Sequence, residues 1–203
     1  ADTVSKTSGG SFDSAVTMGN NLTVTGQITE TGKEYFHVDL TTDQTESDET
    51  TAVVDLGGKG TVIYDTKSKF DSSNDAYLLG SNGGVYMINF NIGIASVSPS
   101  SETIIMTRGG LEVATDGSTY SALKGSGQQM RNSDGDAGGS VVLSGSFIYK
   151  ATNATTKIRM KTHTSSTGSP DYKITSTVSA LTQSGGTDLD NARATWLTIV
   201  RIA

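Results

Sequence analysis

Side chains that could carry out catalysis are scarce in this sequence. It has two histidines, His37 and His163, and no cysteine, which excludes thiol nucleophiles, thiolate metal sites and disulfide bonds. A Ser-His-Asp site would need one of these histidines, and neither lies in a recognisable nucleophile elbow. The glycine cluster at 57–60 lacks the Lys-Ser/Thr ending of a phosphate-binding loop. We therefore predict no enzymatic activity, no catalytic residue and no cofactor.

Acidic side chains cluster in two segments that could offer oxygen ligands to a metal ion. Residues 132–136, Asn-Ser-Asp-Gly-Asp, place oxygen atoms at alternating positions, as in part of a calcium loop. No glutamate follows at the distance that such a loop requires. The second cluster consists of Asp43, Glu46, Asp48 and Glu49. Because turns of this composition are ordinarily solvated, we predict polar loops and no metal site.

Four basic side chains alternate along one predicted strand: Lys157, Arg159, Lys161 and His163. Since successive side chains of a strand point to opposite faces, all four share one face. This face could bind an acidic protein surface, a sulfated or lipopolysaccharide surface, or the acidic loop of a neighbouring subunit. A solvated outer face of a sheet is the simpler interpretation and the one that we favour.

Overall charge and composition narrow the class of protein. The 203 residues carry a formal net charge of −6 with a pI near 4.8, which argues against nucleic acid and anionic membranes as partners. No apolar run is long enough to cross a bilayer, and the N-terminal segment lacks the layout of a secretion signal. We therefore expect no membrane partner and no export. The 24 glycines against two prolines suit short strands joined by turns.

Alternating apolar residues predict an all-β fold. In the segment 83–95 every second residue is large and apolar, the pattern of a strand buried on one side. The strand at 194–202 is apolar on both faces, so we expect it to be central in its sheet or covered by another subunit. About ten strands emerge, enough for two packed sheets. We interpret 115–139 as loop with little regular structure and Arg108-Gly109-Gly110 as a turn. The residues predicted to form the core or a trimer interface are Tyr86, Ile88, Phe90, Ile92, Ile94, Trp196, Leu197 and Ile199.

Residues 1–33 are predicted to form an extended N-terminal arm followed by a short β-stalk, for anchoring and trimerisation. The arm is small, polar and glycine-bearing, and its candidate anchors to a partner are Val4, Phe12, Val16 and Met18. In the stalk, Leu22, Val24 and Ile28 form an apolar edge that is too narrow to be buried by one chain. Three chains around an axis would bury these edges together. A loose tail and an ordinary hairpin are the alternatives.

The order of several segments resembles a known family. The segments are Phe70, Tyr77, 83–90, 141–147 and the terminal 195–202. Through them, residues 34–203 resemble the tumour-necrosis-factor/complement globular-head superfamily, whose members are trimeric jelly rolls. The resemblance implies an antiparallel β-sandwich of jelly-roll type in a homotrimer. Within this superfamily, the chain is similar to the compact bacteriophage versions, which are found on virion surfaces as fibre heads and capsid decoration proteins. The segment 19–32 looks like the β-repeats that begin phage fibre shafts.

This resemblance implies a non-enzymatic structural protein of a phage particle. In the first hypothesis, homotrimers decorate or cement the capsid: the arms dock on the major capsid protein or another virion component, and the sandwiches project outward. The expected location is the virion surface, after assembly in the host cytoplasm. In the competing hypothesis, the chain is the receptor-binding head of a tail or head fibre, and loops at 98–101 and 115–139 bind a host surface glycan. A secreted adhesion module is a third interpretation.

Overall fold

The computed structural model describes residues 33–47, 49–97, 104–131, 140–166, 171–177 and 193–203. The chain divides into two units, Ala1–Gly32 and Lys33–Ala203, and the described residues all belong to the second. The predicted anchors and stalk contacts therefore lie outside the described residues and stay predictions: Val4, Phe12, Val16, Met18, Leu22, Val24 and Ile28.

Nearly all regular structure in the described ranges is β-strand. One single-turn helix, α1, spans Leu56–Lys59. No helix within these ranges has the length and apolarity needed to cross a membrane. The strands are β1 Tyr35–Leu40, β2 Gln44–Glu46, β3 Thr51–Val53, β4 Gly60–Asp65, β5 Phe70–Asp71, β6 Ala76–Leu78, β7 Val85–Ser96, β8 Ile104–Ala114, β9 Ser121–Ala122, β10 Gln128–Arg131, β11 Ser140–Lys150, β12 Lys157–Ser166, β13 Tyr172–Thr175 and β14 Trp196–Arg201.

The strands form two antiparallel sheets. Sheet A has the order β2-β13-β7-β14-β1-β4, and β11 also pairs with β7. Sheet B has the order β10-β8-β12-β6-β5, and in addition β3 pairs with β12 and β9 pairs with β8. Strands β7, β8, β11, β12 and β13 lie in sheets A, B, A, B and A in turn, so the chain repeatedly crosses from one sheet to the other. This is the jelly-roll arrangement. The predicted all-β antiparallel sandwich is confirmed.

Strand β7 shows why these residues form a half-buried strand. Its even-numbered large side chains, predicted to share one face, are each at most 1% exposed: Tyr86, Ile88, Phe90, Ile92 and Ile94. The intervening positions from Val85 to Asn91 are half-buried or exposed on the outer face. The period-two pattern therefore places the large side chains between the sheets, where their burial stabilises the sandwich.

The terminal strand β14 lies in the middle of sheet A. It pairs with β7 on one side and β1 on the other, which confirms its predicted central position. Leu197 and Ile199 are fully buried between the sheets, while Trp196 and Val200 lie half-buried on the outer face. A strand that is apolar on both faces thus contributes to the core and to the outer surface of sheet A.

One sequence prediction of irregular structure is wrong. The predicted turn at Arg108-Gly109-Gly110 is part of the uninterrupted strand β8. The segment 115–139, predicted to be loop with little regular structure, contains the short strands β9 and β10 among its described residues. The glycines are required by close packing and not by a turn. A Cβ on Gly109 would lie 2.7 Å from Leu143 Cδ1, and a Cβ on Gly110 would lie 2.9 Å from the carbonyl oxygen of Ser126.

A buried polar network links the two sheets. Glu34 precedes β1 and is 2% exposed. Its carboxylate accepts a hydrogen bond from the Tyr77 hydroxyl at 3.0 Å and forms an ion pair with Lys69 Nζ at 2.8 Å. Burial, together with the nearby Glu34 carboxylate, raises the pKa of Tyr77. The Tyr77 ring also stacks on Phe36 of sheet A at 4.3 Å between centroids. Because an unpaired buried charge is costly, this network holds β1 against the β5–β6 edge of sheet B.

Candidate functional surfaces

His37 is the one described histidine that contacts both a hydroxyl and a carboxylate. On the outer face of sheet A, its Nδ1 lies 2.6 Å from Thr198 Oγ1 and its Nε2 lies 3.0 Å from Asp39 Oδ1. With the proton on Nε2, the ring donates to Asp39 and accepts from Thr198. The three side chains are then linked in the order carboxylate, imidazole and hydroxyl, as in a hydrolytic triad.

The strands around His37 do not supply the other half of such a site. Both β1 and β14 are paired on each side, so backbone N–H groups that bond across the sheet are not free to form an oxyanion hole. The β1–β4 register shifts between His37 and Val38. We interpret Asp39, His37 and Thr198 as a cross-strand polar cluster.

The predicted basic face on β12 has acidic partners within the same chain. Lys157 Nζ lies 2.9 Å from Asp71 Oδ2, while Arg159 and Lys161 both pair with Glu112, at 2.8 and 2.6 Å. The hydrogen bond from Lys157 lowers the pKa of Asp71 and raises that of Lys157. The side chains share the outer face as expected, and much of their positive charge is balanced locally.

The predicted polar loops show no metal cluster where the structure describes them. Within the described ranges, no group of three or more His, Asp or Glu side chains is arranged to hold a metal ion. Asp43 accepts hydrogen bonds from the backbone and hydroxyl of Ser176, each at 2.8 Å, and Glu46 accepts one from Gln44. Asp48 and the calcium-like segment 132–136 lie outside the described residues.

Exposed apolar side chains form a continuous row across the outer face of sheet A. Strand register aligns Ile148 with Met87, Met87 with Val200, and Val200 with Tyr35. Ile148 is 74% exposed, Met87 37% and Tyr35 40%, and Val200 is half-buried. We call these four residues the apolar row. With strands about 4.8 Å apart, the row is about 14 Å long.

The apolar row differs from the residues that the sequence singled out for a core or interface. Of that predicted set, the side chains that lie in the core of the single chain are Tyr86, Ile88, Phe90, Ile92, Ile94, Leu197 and Ile199. Only Trp196 is on the outer face, with its ring 6.2 Å from that of His37. A sequence signal for the row existed: Met87, Ile148 and Val200 are apolar residues at the outward positions of strands.

Comparisons with known proteins find distant structural similarities. No protein-family model matches the sequence, and no curated protein matches it. Among solved structures, the globular domain of zebrafish complement 1qA is similar with 13% identity and a TM-score of 0.48, over 84% of this chain and 98% of that one. Eiger TNF from S. frugiperda has 10% identity and a TM-score of 0.48, over 84% and 92%. Murine APRIL has 13% identity and a TM-score of 0.44, over 84% and 100%.

Proposed function

We propose that this chain is a non-enzymatic structural protein that assembles as a homotrimer through the outer face of sheet A. The observation that carries the proposal is the apolar row. Three of its four side chains are exposed by 37% to 74%, and the row crosses four strands. Exposed apolar side chains that are contiguous and not scattered singly indicate an interaction site. Each square ångström of apolar surface removed from water contributes about 25 cal/mol, so covering the row favours association.

A second and third copy of this chain are the occupants that fit the row best. Ile148, Met87, Val200 and Tyr35 carry no charge, so identical rows can face each other around an axis without repulsion. The resemblance of residues 34–203 to trimeric jelly rolls favours three copies over two. The sequence at 19–32 supports the same number, because its narrow apolar edge needs partners to be buried.

More specifically, we propose that the homotrimer decorates a phage capsid. Three arms, anchored by Val4, Phe12, Val16 and Met18, would dock on the major capsid protein and hold the trimer on the virion surface. Three weak contacts on one particle give stable attachment through avidity. The support for this step is the sequence: the resemblance to phage decoration proteins and the stalk-like segment 19–32 ahead of the sandwich.

Two measurements test the proposal in sequence. Light scattering of the full chain should give a mass three times the 21.1 kDa of one chain, and a monomer would overturn the assembly. Deletion of residues 1–33 should then leave trimers that no longer bind capsids. Deleted trimers that bind capsids as well as the full chain would contradict docking through the arm.

The second candidate function is the receptor-binding head of a phage fibre, with a host surface glycan as ligand. The observation that favours it is a cleft on the outer face of sheet B, whose lining includes Leu123, Ser126 and Gly127, within the segment 115–139 that the sequence suggested for glycan contact. Under this alternative, the chain lacking residues 1–33 should keep its binding to host cells. Loss of cell binding on this deletion would contradict it.

A further inference from the structure

A cleft of about 380 Å³ lies on the outer face of sheet B. Strands β8 and β12 form its floor, and Ala122, Leu123, Ser126 and Gly127 form one wall. Its volume is at the low end of the about 300–1,000 Å³ found for small-molecule sites, which suits a ligand of the size of one or two sugar units. This cleft lies on the opposite sheet from the apolar row, so an inference about it does not rest on the proposed trimer.

The floor presents a transverse row of polar side chains. Strand register aligns Gln129 with Arg108, Arg108 with His163, and His163 with Thr51, and all four line the cleft. Together they offer a guanidinium, an imidazole, an amide and a hydroxyl within the width of four strands. Such a set can both donate to and accept from the hydroxyl groups of a ligand.

The wall of the cleft is held in place by Ser126. This residue is 1% exposed; its hydroxyl accepts a hydrogen bond from the Leu111 N–H at 3.0 Å and donates one to the Leu123 carbonyl at 2.8 Å. Gly110 allows this close approach, because a Cβ there would lie 2.9 Å from the Ser126 carbonyl oxygen. The cleft is therefore largely preformed, which lowers the entropy cost of binding.

The charges at the cleft favour an anionic ligand. Glu112 lines it but is already paired with Arg159 and Lys161, so two cations share one carboxylate. Arg108 is exposed, and the hydrogen bond that its side chain makes within the described residues goes from Nε to the neutral Gln129 amide at 3.0 Å. The cleft thus carries surplus positive charge in a chain of net charge −6.

His163 adds an unsatisfied polar atom at this site. Its Nδ1 is buried and has no hydrogen-bond partner in the part of the chain that the structure describes. Buried polar atoms are almost always hydrogen-bonded in folded proteins. Because Nδ1 has no exposed surface, a ligand hydroxyl reaches it only if the side chain turns toward the cleft that His163 lines, and such a hydroxyl can then donate or accept whichever tautomer the ring adopts.

We propose that this cleft binds a sugar unit that carries a carboxylate. Arg108 binds the carboxylate through its guanidinium, His163 and Gln129 bind ring hydroxyls, and Leu123 contacts the apolar face of the ring. Neutral hydrogen-bonding groups outnumber uncompensated charges at the site, which favours an acidic sugar over a polyphosphate or nucleic acid. An acidic polysaccharide and a free sugar acid would present the same chemistry.

The test is a titration of the isolated full chain with D-glucuronic acid, followed by NMR chemical shifts. D-glucose and acetate are titrated in parallel. We expect shifts at Arg108, His163 and Gln129 with glucuronic acid, and weaker binding of both comparison compounds. No shift at these residues with glucuronic acid, or equal binding of acetate, would overturn the proposal, and neither result would bear on the light-scattering test of the trimer.

Matched variants locate the site. Arg108→Gln should weaken binding about 10- to 100-fold, the equivalent of a charged hydrogen bond of about 1.5–3 kcal/mol. Lys124→Gln removes the same charge from an exposed position beside the wall and should change binding less than about twofold. Gly127 lines the cleft and a Cβ there has no heavy atom within 4 Å, so Gly127→Leu should fold normally, place a large side chain at the cleft and weaken binding. Unchanged affinity in Arg108→Gln and in a folded Gly127→Leu would contradict the proposal.

Discussion

The two outer faces of the sandwich differ in chemistry although the two inner faces are alike. Both sheets send alternating apolar side chains into one core. Outside, sheet A presents the uncharged apolar row, whereas sheet B presents ion pairs around Glu112 and Asp71 and the cleft with Arg108. Inward positions are constrained by packing, so the outward positions are where the faces can specialise. Sheet A is suited to contact with other copies, and sheet B to water and a polar ligand.

The largest expected effect is on assembly. Met87→Asp places a carboxylate in the middle of the apolar row, where three copies would bury like charges without partners, at a cost of several kcal/mol. We expect monomers by light scattering at concentrations where the unaltered chain is trimeric. Ser121→Asp, an exposed position on sheet B, is the control and should stay trimeric. Trimers of Met87→Asp together with monomers of Ser121→Asp would show instead that the outer face of sheet B forms the interface.

The next largest expected effect concerns the buried polar network around Glu34, which links the two sheets. Lys69→Met leaves the buried Glu34 carboxylate without its ion-pair partner, and we expect a loss of about 3–5 kcal/mol in the free energy of unfolding. Urea denaturation measures it. Lys67→Met, an exposed position nearby, should change stability by less than about 0.5 kcal/mol. Equal effects of the two substitutions would show that the network is dispensable.

A smaller effect on stability distinguishes Gly110, which packs against the cleft wall, from Gly127, which lies next to open space. Gly110→Ala forces the Ser126 backbone away from β8 and should cost about 1–3 kcal/mol. Gly127→Ala, where a Cβ meets open space, should leave stability unchanged or slightly raised. Thermal unfolding of both variants provides the comparison. A Gly110→Ala protein as stable as Gly127→Ala would mean that the wall is not fixed at Ser126.

The smallest effect concerns the surface charge of sheet B. Lys157→Met removes a partly exposed ion pair with Asp71, and we expect a loss of about 0–1 kcal/mol that salt diminishes. Because the pKa of Asp71 is lowered from 3.8, the contribution is present above that pH and is lost as the pH falls through the lowered value. Because the pKa of Lys157 is raised from 10.5, it is also lost as the pH rises through the raised value.

Urea denaturation at several pH values measures this contribution in the unaltered chain and in Lys157→Met. The stability difference between the two should vanish in strong acid and persist at neutral pH. Lys124→Met, which makes the same change of charge, is the control. A Lys157→Met difference that is independent of pH would show that packing of the side chain, and not its charge, is responsible.

Local patterns predicted the strands better than they predicted the contacts between them. The alternation in β7 was enough to identify Tyr86 and Phe90 as inward-facing, because strand burial has a period of two. Gly109 and Gly110 suggested a turn, since the sequence does not show that Leu143 and Ser126 approach them. Likewise, the basic alternation on β12 was visible in the sequence, but its pairing with Glu112 depends on the β8–β12 register.

The sequence by itself determined the fold class, the inward faces of the long strands and the absence of thiol chemistry, because period-two burial and composition are local properties. Only the tertiary structure decided which outward side chains meet. Tyr35, Met87, Ile148 and Val200 form one row because four strands distant in the sequence share a sheet in that register. Arg108, His163 and Thr51 line one cleft for the same reason. Strand pairing is a non-local choice, and it sets what each outer face can bind.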